Sequence, residues 1–110
     1  MNQKAPKHLQ LPTRQWWESV VANYDLQEHH RKLLTLAAET LDRHSQARDA
    51  LLEHGTTYVD RFDQPKPRPE VAIEQNTARL YSHLLRELDL DNDPPVEAAR
   101  PPALRRYGSR

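Results

Sequence analysis

The chain has 110 residues, no cysteine, 36% apolar residues and a mean hydropathy of −0.96, and its sixteen basic and sixteen acidic side chains cancel. These totals fit a single domain with a thin core. They exclude disulfides, thiolate zinc sites and cysteine nucleophiles, and the absence of any long apolar run or apolar signal core reads as a cytosolic chain.

The charge is unevenly placed. Residues 1–14 carry Lys4, Lys7 and Arg14 with no acid, and residues 100–110 carry Arg100, Arg105, Arg106 and Arg110 with no acid. The remaining nine basic residues lie between them with all sixteen acids. Two basic ends on an acidic body suit contacts with phosphate or with an acidic partner, although solvated tails also look like this.

Residues 1–12 are polar, hold two prolines and read as a flexible basic arm. Thr13 is an N-cap candidate for a short helix from Arg14 to about Tyr24, with Trp16, Val20 and Tyr24 on one face. Adjacent tryptophans cannot both face one groove. Trp16 is expected in the core, and Trp17 at a subunit boundary or partly exposed; alternatively both anchor the short helix to the next one.

Gln27–His54 is the longest element, without Gly or Pro and rich in Leu, Ala, Glu, Lys and Arg. Asp25 and Glu28 suggest a capping box at its start, and Gly55 a left-handed stop at its end. Leu26, Leu33, Ala37, Leu41, Arg48 and Leu51 follow one stripe, while Leu34, Leu36, Ala38, Ala47, Ala50 and Leu52 widen the apolar surface. One antiparallel neighbour covers only one side of such a helix. The other side meets either a third helix of the same chain or a second copy of it, and the width of the surface favours the second copy.

After Gly55, Thr56–Phe62 favours strand, with Tyr58, Asp60 and Phe62 on one face and a turn at Asp63-Gln64. Pro65, Pro67 and Pro69 alternate, so they remove donors from one strand edge only and leave Lys66 and Arg68 able to pair on the other. That pattern predicts a small β-hairpin at 56–68; a polyproline-type connection is the alternative. Pro69 suits the first position of a third helix running to about Leu88, with a seam of Ile73, Leu80, Leu84 and Leu88 widened by Tyr81 and Leu85. The expected fold is mainly all-α: a short N-terminal helix, then a long antiparallel helical hairpin with a small β-hairpin between its helices. Residues 13–90 form this core, and 91–110, with two Pro-Pro pairs, read as a flexible tail.

Chemistry is sparse. The histidines (His8, His29, His30, His44, His54 and His83) make no metal-binding spacing, the only glycines are Gly55 and Gly108, and no serine nucleophile arrangement is visible. Glu39 and Asp42 are explained by i,i+4 pairing, for instance Glu39 with Arg43. No catalysis, cofactor, metal or small-molecule substrate is expected. Candidate DNA-phosphate contacts are Lys4, Lys7, Arg14, Arg31, Lys32, Lys66 and Arg68. A helix-turn-helix built from the first two helices is conceivable, but its second helix is too long and its turn lacks a glycine.

In order along the chain, TRQWWESVVANYDL, LLTLAAETLDRHSQAR, HGTTYVDRFDQPKPRPEVAIEQ, LYSHLLRELDLD and RPPALRRYG resemble the small terminase subunit of tailed double-stranded-DNA bacteriophages. The resemblance spans Leu11 to Gly108 and rests on spaced blocks rather than a catalytic signature. It implies a non-catalytic, ring-forming homo-oligomer in the cytoplasm of an infected bacterial host. Such a protein binds double-stranded viral DNA and recruits the large ATPase-nuclease subunit. By the same resemblance, Arg100, Leu104, Arg105, Arg106 and Tyr107 are candidates for docking the large subunit. Trp16, Trp17, Leu34, Leu41, Leu52, Tyr81 and Leu85 are candidates for the ring interface. The chain departs from similar sequences at Asp63, often Gly there, and at Arg68, often His. Two other readings stay open: a small dimeric DNA-binding regulator, and an adaptor whose basic tails bind an acidic protein surface.

Overall fold

A computed structural model of the protein describes residues 4–90. It contains three helices and one two-stranded sheet in the order α1 (Leu11–Asn23), α2 (Glu28–His54), β1 (Thr57–Val59), β2 (Pro65–Pro67) and α3 (Pro69–Leu88). The expected architecture holds: α2 and α3 pack antiparallel, with the small hairpin between them.

The helix starts differ from expectation. α1 begins at Leu11 with Pro12 in its first turn, which places Thr13 inside the helix rather than at its N-cap. A proline there loses nothing, because the first amides of a helix have no intrahelical acceptor. α2 begins after Gln27, so Asp25 and Glu28 make no capping box, and no side chain caps this start. Its end is as expected: Gly55 adopts φ 84° and its amide donates to the carbonyl of Leu51 at 2.8 Å. α3 ends with Asp89 in the left-handed region at φ 55°.

Contacts between α1 and α2 step backwards along α2 as they advance along α1: Thr13 meets Asp42, and Trp17 meets Thr35. The two helices therefore run antiparallel along each other instead of crossing as in a helix-turn-helix. α1 lies on the N-terminal half of α2 and the returning half of α3, where Trp16 meets Tyr81 with ring centroids 6.0 Å apart. Here the chain has a three-helix core, built on Trp17, Val20, Leu26, Leu34, Ala38 and Leu88. The tryptophans exchange the expected roles. Trp17 is the buried one, with its indole N–H donating to Thr35 Oγ1 at 3.1 Å, and Trp16 is half-buried at the edge. The centre of the α2 stripe likewise falls at Leu34 and Ala38, both fully buried, with Leu33 and Leu41 half-buried.

At about 1.5 Å per residue, the 13 residues of α1 reach roughly half as far as the 27 of α2. Beyond Asp42, no third element among the described residues lies over α2 and the start of α3. The α3 seam records this boundary: Leu84 and Leu88 are buried, whereas Leu80 and Ile73 on the same stripe are 42% and 43% exposed.

Residues 4–10, expected as a mobile arm, lie against the helices. Ala5 and Leu9 are buried in the core, and three carboxylates hold the segment. Glu18 accepts from the Ala5 amide at 3.0 Å, Glu39 bonds His8 Nε2 at 2.8 Å, and Asp42 accepts from the Gln10 amide at 2.9 Å.

Candidate functional site

The β-hairpin is the part of the fold most clearly shaped by its sequence. β1 and β2 pair antiparallel in the register Thr57↔Pro67, Tyr58↔Lys66 and Val59↔Pro65. The Arg68 amide donates to the Thr56 carbonyl at 2.9 Å and the Asp60 amide to the Gln64 carbonyl at 3.0 Å. Residues 64, 66 and 68 thus face β1, and the prolines at 65, 67 and 69 face outward, where a missing N–H costs nothing. A proline-lined outer edge also blocks addition of a further strand.

Asp60 and Asp63 build the tip. The Asp60 carboxylate accepts from the amides of Phe62 at 2.8 Å and Gln64 at 3.0 Å, in the manner of an Asx turn. Asp63 sits at φ 64°, the left-handed conformation that glycine adopts freely and aspartate tolerates. Asp63 therefore holds the turn in a conformation that a glycine would also allow. Phe62 is 70% exposed, with the Arg61 guanidinium 5.0 Å from its ring centroid.

The candidate phosphate-binding residues fall into separate regions. Lys4 and Lys7 project from the N-terminal segment, and Arg14 is half-buried on α1. Arg31 and Lys32 lie in the first turns of α2, with Lys32 3.9 Å from Glu28 and Arg31 donating to the Leu26 carbonyl at 3.3 Å. Lys66 and Arg68 lie at the opposite end of the molecule; the helix from Lys32 to His54 alone spans about 33 Å. Neither of these two forms an ion pair among the described residues, and Arg68 Nε is buried without a hydrogen-bond partner. No single basic surface gathers all seven. An open groove of about 480 Å³ beside α2 is lined by Trp17, Arg31, Lys32 and Leu36, but also by Glu28 and Glu39.

Of the expected interface residues, Leu34 and Trp17 are enclosed by this chain's own core. Leu41, Tyr81, Leu85 and Trp16 are half-buried, and Leu52 is 78% exposed. Burial of the Tyr81 hydroxyl pushes its pKa up from 10.0. The docking candidates Arg100, Leu104, Arg105, Arg106 and Tyr107 lie outside the described residues.

The carboxylates Glu18, Glu39 and Asp42 were not singled out for tertiary roles by their spacing. Glu39 bonds His8 rather than Arg43, and Asp42 bonds α1. Their partners lie 13 to 32 residues away, so no local pattern points to them. Among the described residues there is no group of three or more His, Asp or Glu able to hold a metal ion, and no helix is long and apolar enough to cross a membrane. No family model, curated protein or solved structure matches this chain.

Proposed function

We propose that the protein is a small terminase subunit: a homo-oligomeric, non-catalytic DNA-packaging component that binds double-stranded DNA through phosphates and recruits a large ATPase-nuclease partner in the host cytoplasm. The observation that carries the assembly part is the two-helix half of the fold. There Leu52, Ile73 and Leu80 remain exposed on elements whose other half is closed by α1. An amphipathic hairpin with one half uncovered suits packing against further copies. Lys66 and Arg68 on the standing hairpin, which form no ion pair among the described residues, supply cations for DNA at that same end. The ordered sequence blocks supply the rest of the reading, including the role of Arg100–Tyr107 at the large subunit.

Light scattering after size exclusion tests the assembly. The expected mass is many times 12.9 kDa and stable on dilution. A stable dimer with sequence-selective binding favours a small regulator instead. Fluorescence anisotropy with double-stranded DNA tests the second part. Joint replacement of Lys66 and Arg68 by Ala weakens binding and lowers the slope of log affinity against log salt by about 1–2 if both contact phosphates. Replacing Arg105 and Arg106 by Ala weakens DNA binding or large-subunit recruitment while leaving the oligomer intact. Unchanged binding to both partners removes the tail from the mechanism.

A further inference from the structure

Both strands of the hairpin are exposed along their whole length, and no helix among the described residues covers either face. An isolated pair of three-residue strands is at best marginally stable in water, because it buries almost no apolar surface. Yet this one presents Val59 at 62% and Phe62 at 70% exposure. A short hairpin that carries its apolar side chains outward is built to be completed by something else.

The molecule also has a vacancy of matching character. Where α1 stops, the stretch of α3 before Tyr81 leaves Ile73 and Leu80 in solvent, with Asn76 and Thr77 between them. Glu70 and Glu74 flank Ile73, and Arg79 adjoins Leu80. The hairpin tip offers the complement: Phe62 with the Arg61 guanidinium over its ring, and the Asp63 carboxylate beside them. Asp60 is already engaged with the turn amides.

We propose that the β-hairpin of one copy docks on the stretch of α3 from Pro69 to Leu80 of the next copy, which no described element other than α2 covers, with Phe62 anchored between Ile73 and Leu80. Arg61 then faces Glu70 and Glu74, and Asp63 faces Arg79. The occupant is a second copy of this chain, because the hairpin supplies both the unspent apolar surface and the charges that complement this stretch of α3. The two surfaces are different, so the contact is head-to-tail: each copy gives its hairpin to one neighbour and receives one from another. Such contacts propagate and close into a ring when the rotation per subunit permits. This inference rests on the assembly part of the proposed function and names the surfaces that perform it.

The absence of cysteine makes the test direct. Single variants Phe62→Cys and Ile73→Cys, one carrying a mass tag, are mixed in urea, refolded together and mildly oxidised at the concentration where light scattering shows the parent assembled. The expected result is a covalent dimer containing one of each variant, with neither variant cross-linking alone. A Phe62→Cys dimer formed alone indicates a symmetric contact and overturns the proposal. In case a cysteine itself prevents assembly, Arg61→Glu and Glu74→Arg provide a second measurement. Each alone weakens assembly roughly fivefold to tenfold, and the double variant recovers it. An oligomer showing neither cross-link nor charge rescue overturns the docking while leaving the assembly reading standing. A monomeric parent overturns both.

Discussion

Replacing Asp42 by Ala removes the one carboxylate that bonds both α1 and the N-terminal segment to α2 among the described residues. Asp42 is 7% exposed, accepts from Thr13 Oγ1 at 2.5 Å and from the Gln10 amide at 2.9 Å, and forms no ion pair among the described residues. Hydrogen bonds to a charged acceptor are each worth about 1.5–3 kcal/mol, and a buried donor left without a partner adds a desolvation cost. Because the two bonds share one carboxylate, their contributions are not additive. The expected loss is about 3 kcal/mol, a large part of the roughly 5–15 kcal/mol that stabilises a typical domain. For a domain of this size it lowers Tm by roughly 10–20 °C. Urea unfolding followed by the fluorescence of Trp16 and Trp17, at fixed protein concentration, measures it. Thr13→Val removes one bond and keeps the volume, so its cost is about 1–2 kcal/mol. In the double-mutant cycle the second substitution costs little once the first is made. A loss below about 0.5 kcal/mol for Asp42→Ala, or full additivity with Thr13→Val, refutes the view that this carboxylate secures α1.

The exchanged roles of the tryptophans predict an order of effects: Trp17→Ala costs about 3–5 kcal/mol in urea unfolding, and Trp16→Ala clearly less. The opposite order contradicts the packing. Asp63→Gly relieves a left-handed non-glycine residue at some cost in chain entropy, so it leaves hairpin stability unchanged or raises it by up to about 1 kcal/mol. Amide exchange at Asp60 and Arg68 reads this as protection equal to the parent or a few-fold greater, and a marked loss refutes the turn geometry. Burial raises the pKa of Tyr81 above its unfolded value of 10.0, so the folded state favours the neutral phenol. That preference leaves stability untouched below about pH 10 and lost as pH rises beyond it, since the unfolded chain ionises first. Tyr81→Phe flattens this alkaline decline, as a urea series across that range should show.

Sequence alone determined the elements that depend on local physics. A long uninterrupted run of helix formers ended by Gly55 could only be one extended helix, and Pro69 opened the next. The alternation of Pro65, Pro67 and Pro69 determined which edge a hairpin would leave free to pair, because period-2 geometry places all three missing donors on one side, and the pairing with β1 decided for the hairpin over a polyproline-type connection. The excess apolar width of α2 pointed to more than one neighbour, and over its N-terminal half the second neighbour is α1 of the same chain, where a second copy was the favoured expectation. What remained illegible depended on partners distant in the chain. Trp16 and Trp17 are adjacent, and only the angle at which α1 meets α2 decided that Trp17 faces Thr35 and the core. The same docking brought Glu18, Glu39 and Asp42 onto the N-terminal segment, across separations that no helical spacing encodes. Tertiary structure also decided where the surface stays open. Ile73, Leu80, Leu84 and Leu88 read as one seam of α3, but α1 is too short to cover all of it, so Leu84 and Leu88 are buried while Ile73 and Leu80 remain in water.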